Sequence, residues 1–296
     1  MRALRLGARE RAPRSGRARK RFAQHFLEAA WVTKLVAAVG ATPDDAILEI
    51  GPGRGAITRP LAAQAGKLLA IEVDRDLAAD LEATKPGNVT VVTGDVLSVD
   101  LVPIVTGWLG MAPGPEHQFR IVGNLPYNIS SPILFTLLEL AATTNGVRDA
   151  LLMLQKEVAD RLVAKVGTGD YGVLTVLTGL NADVTRVLSL PPGAFRPPPK
   201  VHSAVVRLAF RPPRVDVGAP EAFVRMVRTT FTQRRKTLGN ALKPFAATEG
   251  ADGTDSPKTR ALVTRALAAA GIDPQRRPET LELAEFAALA RAFSRP

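Results

Sequence analysis

The 296-residue sequence has no cysteine, only three histidines and no long apolar run. Without cysteine there are neither disulfide bonds nor thiolate metal sites, which fits a reducing compartment such as the cytoplasm. The histidines (His25, His117 and His202) are far apart and lack metal-ligand spacing, so we expect no metal site. Because no apolar run reaches about 18 residues, we expect no membrane span, and we expect no secretory signal at the N-terminus.

The positive charge is concentrated at the two ends of the chain. Residues 1–21 carry nine Lys or Arg and one Glu, and residues 213–296 carry 14 basic and nine acidic side chains. The segment 22–212, with 16 basic and 18 acidic residues, is nearly neutral. This pattern predicts a core that binds a small molecule, flanked by regions that contact a polyanion. A solvated tail or an arginine-rich transit peptide would also explain residues 1–21.

Short apolar strands alternate with helical segments up to about residue 165, which predicts a parallel, doubly wound α/β sheet. The expected strands in this part are 46–50, 67–73, 88–93, 118–122 and 150–154. The expected helices are 29–39, 56–65, 76–83, 130–140 and 157–165. The segment WLGMAPGPE (108–116) is expected to be a loop between core elements.

The remaining segments predict a domain boundary near residues 212–216. A helix is expected at 171–180 and strands at 184–190 and 203–210, separated by the stiff, proline-rich surface loop PPGAFRPPPK (191–200). The pattern then becomes helical only, at 220–231, 236–243, 258–270 and 281–293. The predicted parts are a flexible basic tail (1–19), an α/β domain (20–212) and a helical domain (213–296).

A glycine-rich loop in ILEIGPGRGAIT (47–58) is the strongest local signal. An apolar strand runs into Gly51, Gly53 and Gly55, where the chain can turn tightly and approach a ligand closely. The spacing also satisfies a dinucleotide-binding pattern, which keeps NAD open as an alternative. Glu49 favours S-adenosylmethionine instead, because its carboxylate would repel a pyrophosphate but not a cationic ligand. A plain tight turn is the simplest alternative.

Two later acids fit the same cofactor. Glu72 ends the second strand, where a carboxylate can accept hydrogen bonds from both ribose hydroxyls. Asp95 follows the third strand and can accept a hydrogen bond from an adenine amino group. NAD-binding folds share the ribose acid, so of these two acids only Asp95 helps to distinguish the two cofactors. Both acids would otherwise be ordinary loop carboxylates.

The tetrapeptide Asn124-Leu125-Pro126-Tyr127 follows the fourth strand, at the sheet edge where open α/β folds bind ligands. An adenine N6 amine is a poor nucleophile, and acceptors at the Asn124 side chain and the Leu125 carbonyl can hold its two hydrogens. Pro126 fixes the turn, and Tyr127 offers a face on which a base stacks. Catalysis would then consist mainly of positioning, without a metal. A proline turn that merely closes the strand is the alternative.

Two further features suggest contacts with a nucleic acid. Phe195, on the proline-rich loop, could stack on the other face of an extruded base, or simply anchor the loop. Arg234, Arg235 and Lys236 form the densest cluster of the basic C-terminal segment. We expect this cluster to bind RNA phosphates, although a solvated helix end would look the same.

Together these motifs closely resemble the small-subunit ribosomal RNA adenine dimethyltransferases. The ordered set is specific, whereas no single member is, and the resemblance extends from about Lys20 to Arg291. The matching motifs are KRFAQHFL (20–27), LEIGPGRGAIT (48–58), IEVDRDL (71–77), GDVL (94–97), GNLPYNISSPIL (123–134), QKEVADRL (155–162), PPGAFRPPPKVHSAVVRL (191–208) and FTQRRKTLGNAL (231–242).

The resemblance implies a seven-stranded Rossmann-like methyltransferase domain followed by a small helical domain. It implies transfer of two methyl groups to each of two adjacent adenosines, in the hairpin loop near the 3′ end of small-subunit RNA. We therefore expect a cytoplasmic monomer that acts on the assembling small subunit with S-adenosylmethionine. The resemblance places these residues at the cofactor: His25, Leu27, Gly51, Glu72, Asp95 and Asn124.

This chain departs from the family's usual pattern at two positions. His25 replaces the usual Asn, and His202 replaces the usual acid. The alternatives are a large-subunit RNA dimethyltransferase of the macrolide-resistance type and a non-catalytic nucleic-acid-binding factor on the same fold. A DNA adenine methylase fits less well, because those enzymes typically begin this motif with Asp rather than Asn.

Overall fold

A mixed α/β sheet forms the centre of the protein, and the computed structural model describes residues 26–249 and 253–294. The predicted flexible tail and His25 lie outside the described residues. The strands are β1 (Phe26–Leu27), β2 (Ala46–Ile50), β3 (Lys67–Glu72), β4 (Val89–Thr93), β5 (Phe119–Asn124), β6 (Val147–Gln155), β7 (Ala182–Leu190), β8 (Phe195–Arg196) and β9 (Ser203–Phe210).

Helices cover both faces of this sheet and make up the C-terminal part of the chain. They are α1 (Ala29–Val39), α2 (Thr58–Ala62), α3 (Arg75–Thr84), α4 (Leu101–Leu109), α5 (Ser130–Thr144), α6 (Lys156–Leu162), α7 (Val173–Asn181), α8 (Pro220–Thr232), α9 (Leu238–Ala241), α10 (Lys243–Thr248), α11 (Pro257–Ala269) and α12 (Leu283–Phe293). Short 3₁₀ turns occur at Pro192–Ala194 and Pro278–Thr280.

The sheet has seven strands in the order β4-β3-β2-β5-β6-β9-β7. Neighbours from β4 to β6 are parallel, as expected, but β9 is antiparallel to both β6 and β7. The parallel arrangement predicted for the strands up to about residue 165 is therefore confirmed, and β9, for which no direction was predicted, adds antiparallel pairs. A parallel connection needs a crossover, usually a helix. Because only a proline-rich loop joins β7 to β9, the chain returns in the opposite direction.

Burial on both faces explains the composition of the central strands. Every residue of β2 is buried, since helices cover the sheet on both sides. Leu48 and Ile50 pack into one apolar cluster with α4 and α5, whereas Ile47 packs into another with α1 and α2. The carboxyl ends of the parallel strands therefore meet at one edge, supported by a rigid core.

Several helix boundaries differ from those expected. Helix α4 was missed, and Trp108 and Leu109 belong to it rather than to the expected loop. Its sequence LVPIVTGWL contains Pro and Gly, which disfavour a helix, and it is mostly apolar, so the buried face was not recognised from the sequence. The segment expected as one helix at 236–243 begins at Leu238, and Pro244 stands near the start of the next helix.

The C-terminal helices share a hydrophobic core with residues that precede the predicted domain boundary. Phe223 and Phe286 pack in a cluster that also contains Tyr171 and Val176. The Tyr171 hydroxyl donates to the Leu281 carbonyl at 2.7 Å. The boundary near 212–216 stays a prediction, and the region around α7 packs against the helical part. Along the described residues, no helix is long and apolar enough to cross a membrane.

Candidate functional site

The glycine-rich loop leaves β2 with its glycines in left-handed backbone conformations. Gly51, Gly53 and Gly55 have φ values of 68°, 56° and 75°. Such values are strained for residues with a Cβ, so glycine allows the tight turn after a buried strand. The Gly51 N–H donates to the Ile71 carbonyl at 3.0 Å, which fixes the start of the loop against β3.

Glu72 is held in place by two backbone groups. Its carboxylate is 4% exposed; Oε2 accepts a hydrogen bond from the Gly53 N–H and Oε1 accepts one from the Asp74 N–H, each at 3.0 Å. The acid at the end of β3 is thus joined directly to the glycine loop. Each carboxylate oxygen has a second lone pair, so Glu72 can still accept hydrogen bonds from a ligand.

Glu49 is a buried acid beneath the same loop. It is 2% exposed, and its Oε2 has no hydrogen-bond partner among the described residues. Burial raises the pKa of Glu49 to about 7; the Thr58 hydroxyl opposes this shift, and the negative charge of Glu72 adds to it. A buried carboxylate left without a counter-ion is costly, which makes this position favourable for a cation.

Asp95 lies in the turn after β4 and caps that turn. Its Oδ1 accepts a hydrogen bond from the Leu97 N–H at 3.0 Å, and the Ser98 hydroxyl donates to Oδ2 at 3.4 Å. Two apolar side chains near these acids are unusually exposed: Val73 at 47% and Leu97 at 37%. The sequence analysis missed both. The available signal was an apolar residue one position after Glu72 and two positions after Asp95, since a flat adenine ring needs apolar faces.

The Asn124–Tyr127 turn lies at the end of β5, beside the glycine loop. A Cβ added to Gly51 would stand 4.0 Å from the Asn124 carbonyl oxygen, which shows how closely the two motifs approach. The Leu125 side chain is buried, and its N–H donates to the Met153 carbonyl at 3.1 Å. Pro126, by contrast, is exposed. The turn is therefore anchored in the core by Leu125 and exposed to solvent at Pro126.

Tyr127 connects this turn to β9. Its hydroxyl lies 2.6 Å from the hydroxyl of Ser203, which is buried at the start of that strand. Burial raises the pKa of Tyr127, although the hydrogen bond with Ser203 opposes the rise. The phenol therefore stays protonated at neutral pH, and its ring is fixed by a polar contact at the far end. Ser203 was not singled out from the sequence.

The Phe195 side chain is buried in the core and is not exposed on the surface of the proline-rich loop. It is 2% exposed, pairs with Leu27 in a two-stranded antiparallel sheet of β1 and β8, and packs in the core cluster that contains Ile57 and Leu61. This burial supports the anchoring alternative in the structure as it stands. Stacking of Phe195 on a base stays a prediction, as does the cofactor contact of Leu27.

The basic cluster 234–236 divides into two kinds of residue. The Arg234 guanidinium donates to the carbonyls of Thr168 and Gly169, and its Nε lies 3.8 Å from Glu279. Arg234 therefore ties the loop before α7 to the helical region. Arg235 and Lys236 are exposed and have no side-chain hydrogen bond or ion pair to other described residues. RNA binding by the cluster stays a prediction.

These features define a class of protein. A Rossmann-like sheet with a glycine loop after β2, an acid at the end of β3 and an Asn-Leu-Pro-Tyr turn after β5 is an arrangement suited to a nucleotide-cofactor-dependent methyltransferase. The chain matches the family model described as ribosomal RNA adenine dimethylase over residues 15–260. It belongs to that family, which confirms the family, the enzyme class and the α/β fold class predicted from the sequence.

Curated relatives are similar over almost the whole chain. A protein from Chromobacterium violaceum, named ribosomal RNA small subunit methyltransferase A, is 44% identical over 92% of this chain and 94% of its own length. A protein of the same name from Geobacter sulfurreducens is also 44% identical, over 94% of this chain and 95% of its own.

Solved structures of related enzymes share the fold. A dimethyladenosine transferase from Plasmodium falciparum is 25% identical, with a TM-score of 0.68, and the match covers 90% of this chain and 96% of that one. The 23S rRNA methyltransferase ErmE is 27% identical, with a TM-score of 0.59, over 91% of this chain and all of that one.

Proposed function

We propose that this protein dimethylates N6 of two adjacent adenosines in the 3′-terminal hairpin loop of small-subunit ribosomal RNA, with S-adenosylmethionine as the methyl donor. The observation that carries the proposal is the contact between two motifs: the Asn124–Tyr127 turn stands directly beside the glycine loop at Gly51. Methyl transfer to a base requires that the target amine and the cofactor be held side by side. The Asn124–Tyr127 turn would hold the amine, and the glycine loop would hold the cofactor at the same edge of the sheet.

The residues at this edge fit S-adenosylmethionine better than NAD. The buried Glu49 carboxylate lacks a hydrogen-bond partner at Oε2 within the described chain, and it would favour a cation and oppose a pyrophosphate. Glu72, fixed by the Gly53 and Asp74 N–H groups, would hold the ribose hydroxyls. Among the described residues, no heavy atom lies within 4 Å of a Cβ built on Gly53, so the loop leaves room for a ligand.

The chemistry requires orientation more than acid–base catalysis. S-adenosylmethionine supplies a methyl group activated by the sulfonium charge. The Asn124 side-chain oxygen and the Leu125 carbonyl would accept the two N6 hydrogens, which turns the nitrogen lone pair towards the cofactor side. Tyr127, held by Ser203, would support the base by stacking, a contribution of about 1–3 kcal/mol. Holding the amine in line in this way accounts for the rate gain.

The similarity to the relatives supports the small subunit as the source of the substrate. The proteins from Chromobacterium violaceum and Geobacter sulfurreducens carry small-subunit names at 44% identity, whereas the 23S enzyme ErmE is 27% identical. We therefore propose an assembling small ribosomal subunit as the partner of a cytoplasmic monomer. Arg235 and Lys236, exposed on the helical region, would contact RNA phosphates.

Methyl transfer to isolated ribosomal subunits tests this proposal. Purified protein and methyl-labelled S-adenosylmethionine are mixed separately with small and large subunits that lack the family's methyl groups. Label should enter only small-subunit RNA, as dimethyladenosine at two adjacent positions. Label in large-subunit RNA alone would favour the macrolide-resistance type. In calorimetry, micromolar binding of S-adenosylmethionine is expected without binding of NAD, and the reverse result would overturn the cofactor assignment.

A further inference from the structure

The small sheet of β1 and β8 joins the segment before α1 to the proline-rich loop, which contains β8. Leu27 pairs with Phe195 and Phe26 pairs with Arg196, in antiparallel register. The pairing continues for one residue, because the Glu28 N–H donates to the Ala194 carbonyl at 2.9 Å. The chain segment just before α1 is thus hydrogen-bonded to the loop that carries Phe195.

On one side, this sheet contacts the glycine loop. The Arg54 guanidinium carbon lies 4.7 Å from the centre of the Phe26 ring, a cation–π contact. Arg54 stands between Gly53, whose N–H donates to Glu72, and Gly55. This contact joins the glycine loop to β1.

An ion pair also joins β8 to the start of α1. Nε of Arg196 lies 2.5 Å from Oε1 of Glu28, the residue between β1 and α1. The two side chains are exposed, at 84% and 38%, so the pair contributes little to overall stability. Its effect is local: it helps to keep β8, which contains Phe195, aligned with β1, which contacts the glycine loop.

We propose that the β1–β8 sheet couples cofactor binding to placement of the target RNA, with Phe26, Arg54, Glu28 and Arg196 as positioning residues. This inference rests on the proposed function. A cofactor bound at the glycine loop would fix Arg54 against the Phe26 ring, which would hold β1 in place, and β1 would hold β8 and its loop through the strand pairing. By linkage, RNA binding then strengthens cofactor binding by the same factor.

Binding measurements on the full chain test this coupling. The affinity for unmethylated small ribosomal subunits is measured with and without saturating S-adenosylhomocysteine, and the ratio gives the coupling factor. Phe26→Leu, which removes the ring face, should lower that factor by about two- to fivefold. Phe26→Tyr keeps the ring and should preserve it. Glu28→Gln should also lower the factor, even though loss of a negative charge would by itself favour RNA binding.

Arg265→Gln serves as the control, because it removes an exposed charge on α11 and leaves the β1–β8 sheet intact. Its RNA affinity can change, but its coupling factor should equal that of the wild type. Equal factors in all variants, or a wild-type factor of one, would overturn the coupling while leaving the proposed function in place. Failure of the wild type to bind S-adenosylhomocysteine or to methylate small subunits would instead overturn the proposed function.

Discussion

The buried charged side chains at the two ends of the central sheet differ in how completely they are paired. At the amino end, the Arg120 guanidinium is 4% exposed, and it binds the carboxylates of Asp45 and Asp149 and the Val39 carbonyl at the end of α1. Arg207 completes this amino-end network with a 2.6 Å bond to Asp149. At the carboxyl end, Glu49 is equally buried but has an oxygen without a hydrogen-bond partner in the described chain.

The pKa shifts follow this difference. Burial alone would raise the pKa of Asp45, but the Thr42 N–H and the guanidinium groups of Arg148 and Arg120 hold it below its ordinary value. Burial raises the pKa of Glu49 to about 7, and no guanidinium offsets the rise. Charges that are paired within the protein stabilise the fold, whereas the incompletely paired acid lies where a ligand would bind.

The largest effect on stability is expected for Asp149→Ala, which breaks the amino-end network. Arg120 and Arg207 would lose their shared carboxylate, and removing one member of a buried ion pair typically costs about 3–5 kcal/mol. Denaturant unfolding measures the loss. The affinity of the folded protein for S-adenosylmethionine should not change, since the proposed cofactor site lies at the other end of the sheet.

Arg148→Ala is the matched control for this variant. Arg148 also binds Asp45, but its side chain is 49% exposed, so its loss should cost no more than about 1 kcal/mol. If Asp149→Ala is too unstable to purify, Asp149→Asn keeps the shape of the side chain and removes only the charge. A loss as small as that of Arg148→Ala would mean that the buried network does not stabilise the fold.

Glu49→Gln should have the opposite effect on stability. The carboxyl ionises near 4.5 in the unfolded chain but only near 7 in the folded one, so its contribution to stability is full below pH 4.5 and is lost as pH rises. Above pH 7 the folded wild type carries a cost of about 3 kcal/mol that the variant avoids. Unfolding at pH 5 and pH 8 measures the difference.

The same variant should bind S-adenosylmethionine more weakly, because the proposed attraction between the cationic ligand and the Glu49 carboxylate is lost. Wild-type affinity should also rise with pH through about 7, whereas the affinity of Glu49→Gln should not. Glu116→Gln, an exposed acid in a loop, should change neither quantity. A variant that is no more stable than the wild type at pH 8 would show that Glu49 is already neutralised in the folded protein.

Asn124→Ala addresses chemistry at the carboxyl end. In the proposed function it would remove one acceptor for the target amine and a contact to the cofactor, so methyl transfer should fall at least about a hundredfold, or roughly 2.7 kcal/mol in the barrier. RNA affinity should change little, because phosphate contacts dominate it. Single-turnover methylation and subunit binding are measured together, with Asn240→Ala as the control. Near-normal turnover would show that Asn124 has a different role.

The sequence predicted the local features of the site better than its long-range contacts. Helix α1 was placed correctly because its period is regular and Gly40, with φ of 61°, ends it. The motif residues could be singled out from the sequence because each lies at or just beyond the end of its own strand, although their roles stay predictions. Two long-range contacts were not predicted: Phe195 packs against Leu27, and Arg120 binds Asp45 and Asp149. These contacts join segments that are far apart in the chain, and a local sequence pattern does not indicate which distant segments come together.

The last prediction asks whether the distinction between paired and unpaired charges extends to the helical region. Arg234 binds the carbonyls of Thr168 and Gly169, whereas Arg235 and Lys236 are exposed and make no side-chain contact of that kind to other described residues. Replacing Arg235 and Lys236 with Gln should weaken binding to small subunits and flatten its salt dependence by roughly two units, since each phosphate contact releases counterions.

Arg234→Gln is the matched variant, because it also removes one positive charge from the same cluster. It should lower stability by about 1 kcal/mol or more, through the loss of its bonds to the loop before α7, with little change in the salt dependence. Neither variant should alter the affinity for S-adenosylmethionine. Binding across a salt series, combined with denaturant unfolding, separates the two roles.

If Arg234→Gln flattens the slope as much as the double variant, then its contacts to the loop are exchanged for phosphates when RNA binds. In that event Arg234 would serve both the fold and RNA binding. The helical region would then differ from the sheet, where the paired charges and the incompletely paired acid are separate residues.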